Sequence, residues 1–211
     1  MAAVAVLVSA CSGKGAKTNS GTDDGAKDSV VGIEVKYATG FSVRDSADVR
    51  LVSVGAPTPQ SATAPLRQGG KYHFALVHSD DAAVPEGYTK VRVPITNTIC
   101  MTSLQLSNFT ILDAHDVVKG LTGTKNLFNE DILARVKDGR IVKIGMEGNF
   151  DTEMVLAANP QVIFISPSKR GGYDAIKETG ITLVPHLGYQ ELDPMSSVEI
   201  TKVEAVRLQM L

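Results

Sequence analysis

Between Pro94 and Val184 the chain repeats a single rhythm, and that rhythm leaves few folds open. Short apolar runs alternate with stretches whose apolar residues recur at helical spacing. Ile95 to Ile99 reads as a strand, followed by Met101, Gln105, Asn108, Phe109 and Leu112 on a helix with Thr102 or Ser103 as its cap. Val117 to Leu121 is a second strand, and Asn129 to Lys137 a helix closed by Asp138-Gly139. A short strand, Ile141 to Ile144, leads into Gly145 to Asp151, and Asp151 caps a helix that stops before Pro160. Val162-Ile163-Phe164-Ile165 is apolar without a break, the mark of a strand buried on both faces. Tyr173 to Thr179 is helical with Gly180 at its C′ position, and Ile181 to Val184 is the next strand. Alternation at this spacing predicts βαβ units: an α/β fold with a Rossmann-like, mainly parallel sheet.

The region before it follows a different period. From about Val30 to Val93, Val31-Ile33-Val35-Tyr37, Arg50 to Val54, Tyr72 to Val77 and Val91 to Val93 alternate as strands do. Turn-rich stretches separate them, notably Pro57 to Gly70 and Asp80 to Gly87. The expectation is a small antiparallel sheet or set of hairpins over residues 30–93, preceding an α/β lobe over 94–195. After Pro194, Val198, Lys202, Ala205 and Gln209 begin a further helix over 196–211.

Residues 1–29 have no core-forming pattern. Met1 to Ala10 is apolar apart from Ser9, too short to span a bilayer, which takes roughly 20 residues, but suited to the apolar part of a secretory leader. No Lys or Arg precedes it, which points to a longer leader. Val8-Ser9-Ala10-Cys11 resembles the bacterial lipobox, and that resemblance implies acylation of Cys11. Ser12 to Asp28 is a polar Gly/Ser/Thr/Lys/Asp tether. With Cys11 acylated, Cys100 is a free, partly buried thiol. The expected location is exported and membrane-anchored, periplasmic or at the cell surface.

Several function classes fall away. Net charge is −2 and the pI near 6.1, so no basic stripe exists to neutralise a phosphate backbone, and nucleic acid is not an expected partner. Gly120-Leu121-Thr122-Gly123-Thr124-Lys125 lacks the GxxxxGK[ST] spacing of a phosphate loop. No nucleophile elbow, paired carboxylate or Ser/His/Asp pattern stands out, and four scattered His residues make no metal cluster. Neither catalysis nor a resident cofactor or metal is expected.

A family resemblance sharpens the reading. Pro94 to Thr102 is similar to the first strand and ligand-side loop of the periplasmic binding proteins of siderophore, haem and cobalamin importers. Leu112-Asp113-Ala114-His115-Asp116-Val117-Val118-Lys119-Gly120 looks like that family's helix exit and second strand. Gly148-Asn149-Phe150-Asp151-Thr152-Glu153, then Ala158-Asn159-Pro160-Gln161-Val162-Ile163, resembles its "G-N-x-E … L-x-P-D-V-I" signature, with Gln161 where Asp is commoner. Gly188-Tyr189-Gln190-Glu191 and Pro194 resemble the entry to its bridging helix, with Ile200 where an aromatic is usual. The resemblance covers about Val91 to Lys202. It implies two α/β lobes joined by one long helix, of which this chain holds the first lobe and the start of the helix. The implied function is a receptor lipoprotein of an ABC importer, binding a metal chelate and partnering permease subunits. In this family the carboxylate matching Glu153 docks on permease arginines, although a carboxylate in a first helical turn is also favoured by the helix dipole.

Ligands of open α/β sheets bind beyond the carboxyl ends of the strands. That rule selects Cys100, Met101, Thr102 and Ser103, Gly123 to Asn126 with Lys125, Glu147 to Asn149, Ser166 to Gly172, and His186 to Tyr189. Lys169 and Arg170 form a pair suited to an anionic chelate. His186 and Tyr189 are candidate axial ligands to haem iron, or hydrogen-bond formers within their loop. Asp113, His115 and Asp116 are read as structural. Two other readings stay open: a surface lipoprotein interaction module without a transport role, and a nucleotide-using enzyme on a Rossmann-like sheet.

Overall fold

The structure, a computed structural model, describes residues 36–46, 48–55, 72–146, 149–167, 173–191, 195–196 and 201. Two larger sheets organise it. The first is four-stranded in the order β1–β2–β3–β4: β1 (Phe41–Ser46), β2 (Val49–Val54), β3 (Tyr72–Val77) and β4 (Thr89–Arg92). The second is five-stranded and parallel throughout, in the order β11–β10–β5–β6–β7. Its strands are β5 (Thr98–Cys100), β6 (Val118–Leu121), β7 (Val142–Lys143), β10 (Val162–Ile165) and β11 (Thr182–Pro185). Between β7 and β10 a two-stranded hairpin intervenes, β8 (Gly145–Met146) with β9 (Asn149–Phe150).

Helices separate the parallel strands: α1 (Ser103–Ile111), α2 (Glu130–Lys137), α3 (Thr152–Ala157) and α4 (Asp174–Lys177). Alternate strand residues point to opposite faces, and each face of the parallel sheet has its own core. On one face Cys100, Val162, Phe164 and Val184 pack with Leu106 and Phe109 of α1 and Ile132 of α2. Phe109 meets Phe164 edge to face, centroids 5.5 Å apart. On the other face Ile99, Ile163 and Ile165 pack with Val155 of α3 and Ile176 of α4. This is the mixed α/β architecture with a mostly parallel sheet that the βαβ rhythm predicts.

The small sheet joins the first of these cores: Val52, Val54, Phe74, Leu76 and Val91 belong to the same cluster as Leu106 and Phe109. At the far end, Glu191 closes the arrangement. Its carboxylate accepts the backbone N–H groups of Thr39, at 3.1 Å, and Gly40, at 2.7 Å.

The structure corrects the expectations for residues 30–93 in two ways. β4 runs parallel to β3, not antiparallel. The stretch 78–88 is long enough to carry the chain back to the end where β3 began, whereas an antiparallel partner would follow a tight hairpin turn. Phe41–Ser46 forms a strand that the alternation did not flag, because only Phe41 and Val43 in it are apolar. Of the strand expected at 31–37, residues 31–35 lie outside the described residues, and Lys36 and Tyr37 are not in a strand. The helix expected after Pro194 also lies mostly outside them.

Local chemistry fixes the helix starts. Thr102 and Gln105 form a capping box on α1, Asn129 accepts from Ile132 N at 3.0 Å on α2, and Asp151 accepts from Met154 N at 3.0 Å on α3. Gln161 holds the entry to β5 by accepting from the backbone of Thr96, at 2.7 Å, and Asn97, at 3.2 Å.

Gly120 is the tightest point of the parallel sheet. A Cβ there would lie 2.9 Å from Ile99 Cγ1 and 3.2 Å from Ile144 Cγ2, and both isoleucines are fully buried. Gly120→Ala should therefore destabilise the fold by about 1–3 kcal/mol as overpacking, read as a lower urea midpoint with an unchanged slope. An unaltered midpoint would mean the two isoleucines can withdraw from β6.

Candidate functional site

The carboxyl ends of β5 and β6 part to leave a pocket of about 280 Å³. Its two sides are the turn into α1, Met101 to Ser103, and the loop Thr122 to Leu127. The loops are tied together where Thr122 Oγ1 donates to Met101 O at 3.1 Å. Cys100, Leu106 and Leu121 contribute apolar surface, all three buried side chains of the first core. Thr102, Ser103, Thr124, Lys125 and Asn126 supply the polar groups.

The turn into α1 is held rigidly. Gln105 Oε1 accepts from Met101 N at 2.8 Å and Thr102 N at 3.1 Å, while Thr102 Oγ1 accepts from Gln105 N at 3.3 Å. Gln105 is 1% exposed, and its Nε2 finds no partner among the described residues. With Thr102 and Gln105 as its capping box, α1 carries no acid in its first turn, whereas α2, α3 and α4 each carry at least one.

Eight residues selected from the sequence thus line one pocket: Cys100, Met101, Thr102, Ser103, Gly123, Thr124, Lys125 and Asn126. The others are placed elsewhere. Ser166 lies buried at the end of β10, where its backbone N–H donates to Tyr173 Oη at 3.4 Å. His186 is 5% exposed at the end of β11, with Nε2 3.2 Å from Asn108 Nδ2. Asn108 Oδ1 in turn stands 3.5 Å from Thr201 Oγ1. Tyr189 is half exposed, its hydroxyl accepting from Gln190 Nε2 at 2.9 Å. Asn149 sits in the β8–β9 hairpin and Glu153, exposed, in the first turn of α3. Cys11, Lys169 and Arg170 lie outside the described residues, as do Glu147, Gly148, Gly171 and Gly172.

Sequence reasoning did not select Leu106, Leu121 and Leu127, which help shape the pocket. A strand residue and a helix residue of a core pattern carry no mark that says they also face a cavity. Asn108, the partner of His186, was placed only by helical spacing.

A separate charged cluster lies beside the start of β6. Arg135 bonds Asp131 Oδ2 at 2.7 Å and also bonds Asp116. His115 Nε2 is 3.0 Å from Asp131 and its Nδ1 3.7 Å from Asp113. Arg140 pairs with Asp138 at 2.7 Å. Among the described residues no group of three or more His, Cys, Asp or Glu is arranged to hold a metal ion, and no helix is long and apolar enough to cross a membrane.

No protein-family model matches the chain. An uncharacterized lipoprotein of Methanocaldococcus jannaschii is 32% identical over 151 residues, 63% of this chain and 36% of that protein. The chain therefore spans about a third of the length of this curated relative. Solved structures that resemble it in part include the petrobactin-binding protein YclQ of Bacillus subtilis, at 18% identity over 54% of this chain and 38% of that one, with a TM-score of 0.41. A periplasmic haem-binding protein of Pseudomonas aeruginosa gives 12%, 55%, 40% and 0.40, and the periplasmic vitamin B12-binding protein BtuF of Vibrio cholerae 12%, 55%, 49% and 0.36.

The charged cluster yields a titration test. Hydrogen bonding and charge from Arg135 hold the Asp116 carboxyl below its ordinary 3.8. A carboxylate depressed in the folded state contributes its stabilisation above the unfolded value and loses it as pH falls through the folded one. Arg135→Met should move the Asp116 midpoint back up towards 3.8, followed by carboxyl carbon shifts in NMR. An unmoved midpoint would take the guanidinium out of the account.

Proposed function

We propose that the chain is part of a receptor lipoprotein that captures a metal chelate outside the cytoplasm and hands it to an ABC importer. The observation that carries the reading is the pocket between the β5 and β6 loops. It opens at the carboxyl ends of parallel strands, where open α/β sheets hold ligands, and it gathers eight of the residues selected from the sequence. The work is binding and release. The described pocket combines apolar floor and hydroxyl, amide and ammonium groups, which suits an organic complex better than a naked ion.

Export and anchoring follow from Cys11 within Val8-Ser9-Ala10-Cys11 and from the polar tether after it, and a lipoprotein relative supports them. The cargo is an iron–siderophore, haem or cobalamin-type chelate, in keeping with the resemblance of Pro94 to Thr102 and of Gly148 to Ile163 to receptors for such ligands. Glu153 is the contact to the permease: it stands exposed, with no hydrogen bond or ion pair among the described residues, on the outer side of α3.

Two measurements separate the parts. Calorimetric titration of the full chain with haem, cobalamin and ferric siderophores should show binding to at least one. Glu153→Arg should leave that affinity unchanged and cut importer-dependent uptake by about ten-fold or more, since a like charge now faces permease cations. No binding to any of the chelates would sink the receptor reading. Unchanged uptake by the variant would remove Glu153 from docking.

A further inference from the structure

A second concavity lies on the flank of the parallel sheet, where β7 ends the strand order. It is a groove of about 570 Å³ bounded by the second half of α2, the edge strand β7 and the first turn of α3. That volume falls within the roughly 300–1,000 Å³ of sites that take small molecules. Leu133 and Val136 of α2, Ile141 and Val142 at β7, and Met154 of α3 give it an apolar lining. Thr124, Lys137 and Lys143 are its polar side chains, and no acidic residue is among those lining it. It has only Thr124 in common with the pocket at the ends of β5 and β6.

The groove lies where the two cores meet at the sheet edge. Val136 packs against the first core, Val142 and Met154 against the second, and all three are only partly buried. Leu133 is 36% exposed. The two lysines are exposed, and neither makes an ion pair or side-chain hydrogen bond among the described residues. Asp138, the acid next to Lys137 in sequence, is taken by Arg140 at 2.7 Å. Each lysine also has a local benefit of its own. A cation is favoured in the last turn of a helix, which serves Lys137, and a lysine on an edge strand discourages stray pairing, which serves Lys143. Neither benefit calls for the apolar wall that the two share.

We infer that this groove binds a single-chain anionic amphiphile. The hydrocarbon chain lies against Leu133, Val136, Val142 and Met154, and the anionic head pairs with Lys137 and Lys143. A cationic amphiphile with the same chain loses the second set of contacts, and a short anion loses the first. The inference uses a different surface from the receptor reading and does not depend on it.

The test titrates the full chain with dodecanoate below its micelle concentration and follows amide NMR shifts, which report both affinity and place. Leu133, Val136, Val142, Lys143 and Met154 should move, while Ser103 and Lys125 of the strand-end pocket should not. From octanoate to dodecanoate, each added methylene should tighten binding about two- to four-fold. Lys137→Ala and Lys143→Ala should each weaken it about two- to five-fold, and the double variant should lose its salt dependence. Leu133→Asn should weaken it about five-fold or more. Dodecyltrimethylammonium should bind at least about ten-fold more weakly than dodecanoate. The three substituted side chains are exposed, so unchanged amide spectra of the free variants show that the fold is kept. Equal binding of the cationic amphiphile, lysine variants that bind as the wild type does, shifts confined to the strand-end pocket, or no binding at all overturns the inference. Binding to phosphatidylglycerol vesicles that the lysine variants weaken, with none to free dodecanoate, assigns the groove to a membrane surface and overturns it as well.

Discussion

A strand buried on both faces cannot stand without a layer above it and a layer below, and β5 and β10 are such strands. Every residue of Thr98–Cys100 and of Val162–Ile165 is buried. Removing that much apolar surface from water is favourable only if helices cover both sides, and α1 and α2 on one side, α3 and α4 on the other, do so. Even the polar member is accounted for: Thr98 Oγ1 donates to Val162 O at 3.0 Å inside the sheet. The cover on one side then draws in the small sheet, because Leu106 and Phe109 share their core with Val52, Phe74 and Leu76.

The same constraint explains which parts of the fold were legible. Val162–Ile165 declared itself by being apolar throughout, and Asp151 and Thr102 declared two helix starts by their capping chemistry. What failed were the features whose cause is not local. The direction of β4 depends on where the stretch 78–88 returns the chain, which periodicity does not record. The β8–β9 hairpin consists of two-residue strands, too short to show a period, and is set instead by Gly145, whose φ of +89° and 2.5 Å approach of a would-be Cβ to Asn149 O admit only glycine.

The site was legible in the same partial way. The rule that ligands meet strands at their carboxyl ends found the two loops, because strand direction follows from βαβ order. It could not sort residues within those loops. His186 and Cys100 sit at equivalent ends of β11 and β5, yet one is turned to Asn108 and the other faces the pocket. That choice rests on which neighbour fills the space, and the neighbour lies 78 residues away in sequence.

Charge placement adds a further layer of order. On α2, α3 and α4 an acid in the first turn meets the positive end of the helix, as helix electrostatics favour. On α1 a neutral glutamine completes the capping box with Thr102, and it accepts the same backbone N–H groups that a carboxylate would. A glutamate there would bring a buried negative charge beside the pocket, which is costly in itself. An amide preserves the geometry of the turn without that charge. The capping chemistry of α1 therefore sets the turn that forms one side of the pocket without placing a charge there.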